Sequence, residues 1–236
     1  MRAAMLLLLV GVMLLPATAS SAPALIAYRV RLFNLTSGQP FSPPVAATHQ
    51  PSIRMFRVGA LASLELEAIA EDGNQIPMFN LFAGDSRVTQ AVDVGRPLTP
   101  IGKTVGTFTP WVTFDINARP EDKLSLATML ICTNDGFLGL DAATLPAVGR
   151  VVYALNGYDS GTEDNTEQSL DIVDPCTGLG PAILPGDPDG NDDAAVNTVP
   201  RLRIRHHPGI LGNGELTPGL HGWTDPVAVV VIDRLP

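Results

Sequence analysis

Polar and apolar positions alternate along much of this chain, and helical periodicity is scarce. The run Tyr28-Arg29-Val30-Arg31-Leu32-Phe33-Asn34-Leu35 has the pattern of a strand with one face in a core and the other in water. Leu61 to Ala70 repeats it, with Glu65 and Glu67 on one side and Leu64, Leu66 and Ala68 on the other. In Trp111 to Ala118, Val112, Phe114 and Ile116 alternate with Thr113, Asp115 and Asn117. Leu124 to Cys132 and Arg150 to Leu155 are more continuously apolar, which predicts strands buried on both faces. Arg201 to Arg205 alternates again, and Val227 to Ile232 is a largely β-branched run without charge. With 22 glycines and 21 prolines punctuating these runs, seven or more short strands are predicted, and hence an all-β fold, a two-sheet antiparallel β-sandwich.

Between the strands, short helices are expected near Ser52 to Ala60 and near Gln75 to Gly84. Thr36 to Pro51 reads as an ordered surface connection, and Asp174 to Pro200 as the longest irregular stretch. There is no internal repeat, and no linker beyond that acidic loop. One domain over residues 20–236 is therefore predicted.

Residues 1–19 form a different pattern. Arg2 is followed by an apolar run from Met5 to Leu15, then Pro16 and the small-x-small step Ala17-Thr18-Ala19. This is a secretory signal peptide, with cleavage expected after Ala19 and Ala22 as a second candidate site. The run is too short to span a bilayer, which takes about 20 residues, so no transmembrane helix is expected in the mature chain.

A net charge of −9 disfavours nucleic acid and anionic membrane as partners and suits divalent cations or basic partners. Cys132 and Cys176 are an even pair in a chain read as exported, so one disulfide is the natural reading, with two buried free thiols as the alternative.

Three acidic segments could carry chemistry: Thr133-Asn134-Asp135-Gly136-Phe137, Tyr158-Asp159-Ser160-Gly161-Thr162-Glu163-Asp164-Asn165, and Asp187 to Asp193. Calcium takes six to eight oxygen ligands, and loops at one end of a sandwich can converge them. Asp159 and Glu163 lie four apart across a Ser-Gly turn, and Asp135 ends another strand; the same residues also favour turns for purely local reasons. The third segment departs from an EF-hand, with Gly190 fourth and Thr198 twelfth, and reads as a solvated acidic loop.

Two of these segments resemble a known family. Leu126 to Leu140, with Thr133-Asn134-Asp135-Gly136-Phe137 and the Leu138-Gly139-Leu140 step, is similar to the central motif of the spondin N-terminal domain family. Tyr158-Asp159-Ser160-Gly161-Thr162-Glu163 resembles its Asp-Ala-Gly-Thr-Asp/Glu signature, with Ser160 for the usual Ala and Glu163 where animal members have Asp. Tyr28 to Leu35 resembles the opening strand of bacterial secreted single-domain members. His207 to Ile210, Gly212 to Leu216 and Trp223 to Val230 resemble their closing segment. The resemblance implies a C2-like sandwich and one calcium ion held by Asp135, Asp159 and Glu163.

Catalytic alternatives are thin. His206 and His207 follow a predicted strand and point to opposite faces, so they cannot both ligate one metal without distortion. No Gly-x-Ser-x-Gly elbow surrounds Ser160. Trp111, Trp223 and Tyr158 are expected in the core, and Arg201, Arg203 and Arg205 on a solvated face, paired with Glu65 and Glu67 across strands, with docking of a sulfated or acidic glycan as the alternative. The function expected is a secreted or periplasmic, calcium-binding, matrix- or envelope-associated module for cell adhesion or for binding a protein or glycan partner, and not an enzyme. The alternatives are a secreted carbohydrate-active enzyme using Asp115, Asp141 or Asp164, and a purely structural matrix protein.

Overall fold

The computed structural model describes residues 24–180 and 197–236. The predicted signal peptide and the Asp187–Asp193 segment lie outside them. Among the described residues, strands β1 (Ile26–Asn34), β4 (Trp111–Ala118), β7 (Arg150–Leu155) and β10 (Ala228–Arg234) form a four-stranded antiparallel sheet ordered β4-β1-β10-β7. A second antiparallel sheet contains β2 (Val45–His49), β3 (Val88–Asp93), β5 (Lys123–Met129), β6 (Gly136–Thr144), β8 (Gly157–Asp159) and β9 (Arg205–His206), ordered β3-β2-β5-β6-β8-β9. The two stack as the predicted β-sandwich.

Alternation explains the first sheet. On its inner face Val30 lies between Phe114 and Ile232, and Leu32 between Val112 and Val230. Full burial of each such aliphatic side chain contributes about 1.5–3 kcal/mol. On the outer face the intervening positions form ion pairs across strands, Arg29 with Asp115 and both Arg31 and Arg150 with Asp233.

The second sheet is covered on both sides. Ala46, Leu124, Leu126, Leu138 and Leu140 enter the core between the sheets. Val45, Ala47, Ala127 and Phe137 pack on the opposite face against helices α1 (Leu64–Asp72) and α2 (Ile76–Ala83). The continuous apolar run of β5 follows from this double burial. β7 was expected to share it and does not, because it is a sheet edge and Val152 is more than half exposed.

Several expected elements are replaced. Leu61 to Ala70 is not a strand but contains most of α1. Ser63 caps that helix by accepting the Leu66 N–H at 3.3 Å. Gly73 ends it in the left-handed region, and Leu66, Ile69 and Ala70 form a buried stripe at helical spacing. Two glutamates two apart imitated a strand, whereas Glu65 and Glu67 in a first helical turn are favoured by the helix dipole. Ser52 to Ala60, expected to be helical, runs in turns, while α2 is where a helix was predicted. Thr36 to Pro51 is no surface connection, since it contains the wholly buried β2. Of Arg201 to Arg205, only Arg205 belongs to a strand, the two-residue β9.

The cysteines are bonded, with Cα atoms 5.0 Å apart, which joins the turn after β5 to the short helix α3 (Pro175–Leu179). Gln39 holds the same turn from the other side. Its Nε2 donates to the carbonyls of Cys132 (3.1 Å) and His221 (2.7 Å), and its Oε1 accepts the Cys132 N–H (2.9 Å). Replacing Gln39 by Ala strands these buried groups, and we expect a loss of about 2–4 kcal/mol. Urea denaturation of the oxidised protein checks this; an unchanged midpoint would contradict the role given to Gln39.

Candidate metal centre

At one end of the second sheet, β5 stops and the chain turns back into β6. Thr133 forms the turn, its hydroxyl donating to the Leu130 carbonyl (2.6 Å) and accepting the Gly136 N–H (2.9 Å). That turn places Asp135 immediately before β6, with no exposed surface. β8 pairs with β6 so that Asp159 lies opposite Gly136, and the Ser160 N–H donates to the Asp135 carbonyl at 3.1 Å.

The loop after Asp159 closes around the Asp135 side chain. Asp135 Oδ2 accepts from the Ser160 hydroxyl (3.0 Å), the Thr162 N–H (2.9 Å) and the Glu163 N–H (3.2 Å). Asp135 Oδ1 is equally buried and accepts nothing. The loop's tight course depends on Gly161, whose φ is +77°, and a Cβ there would meet the Leu202 backbone at 2.6 Å. Residues 197–202 brace the loop from outside, with the Thr198 N–H donating to Thr162 O (2.9 Å) and the Leu202 N–H to Gly161 O (2.7 Å).

Asp159 is also fully buried, and both its oxygens have partners. Oδ1 accepts the Gly161 N–H at 2.9 Å, while Oδ2 accepts from Asn165 (2.9 Å) and from Arg205 (2.8 Å). β9, beside β8, delivers that arginine and brings His207 to the same place. One ligand atom each from Asp135, Asp159 and His207 lie within 4.8 Å of one another, a group able to hold a metal ion. His207 Nδ1 accepts the Gly209 N–H at 3.0 Å, so in the neutral ring the proton sits on Nε2. Nε2 is buried without a partner and thus presents an N–H rather than a lone pair. Burial, and then the charge of Arg205, push the His207 pKa down to about 4.

Both carboxylates read from the turn and the loop therefore meet. Glu163 is buried beside them and touches Asp135 through its backbone N–H, but its carboxylate is not part of the 4.8 Å group. It faces other acids instead: burial first, and then the charges of Glu71 and Asp135, push it up to about 9. Glu71, in α1, is raised to about 7, again mainly by burial. Burial and the charge of Asp159 also raise Asp135, against the hydrogen bonds it accepts. Sequence reasoning missed His207 as a member, although it placed His206 and His207 on opposite faces, because the β8–β9 pairing that brings it here joins segments far apart in the chain. Glu71 was missed because α1 was read as a strand.

The remaining candidates are engaged elsewhere. Asp115 pairs with Arg29, Asp141 accepts the Met55 N–H and meets Arg54, and Asp164 accepts from Thr198. Arg201 does meet a predicted glutamate, Glu67, but from the helix rather than across strands. Trp223 and Tyr158 pack against the core, whereas Trp111 is half exposed.

The two-sheet sandwich thus carries, at one pole, a buried pair of aspartates at the ends of two neighbouring strands, part of a group that could hold a metal ion. The Spondin_N family model matches residues 33–172, more than half of the chain, and the protein belongs to that family. The match includes Asp135, Asp159 and Glu163 and stops before Arg205 and His207. No curated protein matches the chain. Membership suggests an extracellular binding or matrix module, and no helix among the described residues is long and apolar enough to cross a membrane.

A carboxyl whose folded pKa is raised favours folding at low pH and loses that advantage as pH rises. For Glu71 and Glu163 the loss starts above the ordinary 4.5 and runs through about 7 and about 9. In EGTA, the melting temperature should therefore fall between roughly pH 7 and pH 9, above the range in which the lowered His207 adds stability as pH rises. A melting temperature that holds or rises across this window would refute the crowding of these acids. Gly161→Ala should cost about 1–3 kcal/mol by strain and collision, measured by the same melts.

Proposed function

We propose that this chain is an exported binding module of the matrix or cell envelope whose end loops hold one calcium ion, and that it is not an enzyme. The observation that carries the reading is the asymmetry of Asp135, a fully buried carboxylate with hydrogen bonds from Ser160, Thr162 and Glu163 on one oxygen and none on the other. A buried, unpartnered carboxylate oxygen is costly, and a divalent cation offsets that cost.

The donor set favours a hard cation. Asp135, Asp159 and the adjacent Glu163 offer oxygens, with water free to complete six to eight ligands. His207 presents its N–H, which can bond a ligand oxygen or a bound water but cannot coordinate zinc or copper while Gly209 holds Nδ1. The absence of catalysis is supported by the engagement of the spare carboxylates described above. A Ser–His pair does exist, His49 Nε2 lying 2.7 Å from Ser125 Oγ, but both residues are fully buried. The Ser125 hydroxyl also accepts the Ala142 N–H at the irregularity between β5 and β6, a structural use. Nucleic acid is an unsuitable partner for a chain of net charge −9.

Thermal unfolding in EGTA, then in millimolar calcium with a magnesium control, tests the reading. Calcium should raise the melting temperature by several degrees, because a ligand of the folded state alone stabilises it. Asp135→Asn and Asp159→Asn should each remove that dependence. If the rise persists undiminished in both variants, the ion is held elsewhere.

A further inference from the structure

Glu71 stands in a position that α1 alone does not favour. It lies in the last helical turn, next to Asp72, with no basic residue in that turn. The C-terminal end of a helix carries partial negative charge, so carboxylates are disfavoured there. The helix cannot shift to relieve this. Ile69 and Ala70 are buried against the sheet, and Gly73 fixes the terminus, its N–H directed to Ala68 O and Ile69 O.

Glu71 Oε1 is buried and has no hydrogen-bond partner. The acids acting on it are Glu67, Asp72 and Asp135, and its own charge is the first neighbouring charge felt by Glu163. A hydrogen bond from the Thr162 side chain, within the 159–163 loop, favours its charged form. Asp135 meanwhile directs an unpartnered oxygen from a residue with no exposed surface. Acids at a helix end, in the turn before β6 and in the loop after β8 thus act on one another, and two of them, Glu71 and Asp135, carry an orphaned oxygen, although the Glu71 carboxylate lies outside the 4.8 Å group. One divalent cation would relieve the repulsion, the helix-end penalty and both orphaned atoms.

We propose that Glu71 supplies a further oxygen ligand to the cation centre, on its Glu163 side, so that cation binding ties the end of α1 to the 159–163 loop. This rests on the cation reading above and adds a residue from outside the two acidic loops.

Calcium titration by calorimetry of the purified protein and of Glu71→Gln, with melts of both in EGTA, tests it. One ion should bind the wild type, and Glu71→Gln should weaken it about tenfold or more. The variant should melt no lower than wild type in EGTA, since a repelling charge has been removed. Glu67→Gln, which takes the same charge from the same helix at the Arg201 pair, should change affinity less than about threefold. Should Glu71→Gln fail to fold, Glu71→Asp, which keeps the charge and shortens the arm, should still weaken binding. If wild type binds calcium and the Glu71 variants bind it equally well, or if two ions bind and only one is lost, the assignment of Glu71 to this centre is overturned. If the wild type binds none, the cation reading itself falls.

Discussion

Burying a carboxylate is expensive unless hydrogen bonds or an opposite charge replace the water it loses. One end of this sandwich is arranged around that cost at Asp135. The Thr133 turn, the pairing of β6 with β8 and the sharp bend at Gly161 are each required to bring Ser160, Thr162 and Glu163 onto one of its oxygens. The disulfide and Gln39 both fasten Cys132, the residue that precedes Thr133 in that turn. So much local order around a single acidic side chain, with its second oxygen left unmet, is hard to explain by packing alone. It is readily explained by a positive ion.

The fold was legible where burial is one-sided. β1 and β4 each have one solvated face, so their alternation is visible, and Arg29, Arg31 and Asp115 between the apolar positions enter the outer ion pairs. It was illegible where helices cover the sheet. β2 is small, uniformly buried and fringed by prolines, so it carries no alternation to detect. Over Leu64 to Ala68 the spacing of two strand positions and that of a helical stripe are both satisfied, and the signals that decide are Ser63 and Gly73 at the ends.

The site was legible to the extent that it is local. Asp135 and Asp159 each sit in a turn with its own sequence signature, and the resemblance to the spondin N-terminal family joined them. Arg205, His207 and Glu71 belong to no such turn. They arrive through the β8–β9 pairing and the packing of α1 on the sheet, contacts between segments far apart in the chain. Arg205 and His207 also lie beyond residues 33–172, the part of the chain that matches the family model.

The placement of β1 and β10 has a consequence for how the domain is presented. They are antiparallel neighbours, with Tyr28 beside Arg234, and this end of the sheet shares its surroundings with Lys123 and Thr144. Lys123 begins β5 and Thr144 ends β6, so both stand at the pole opposite Asp135. Any tether joined before Ile26 or after Arg234 leaves from that far pole, and the acidic loops then face outward from whatever holds the domain. A pull applied through both ends would peel β1 from β10 one rung at a time, beginning at Tyr28 and Arg234 and reaching the loop pole last.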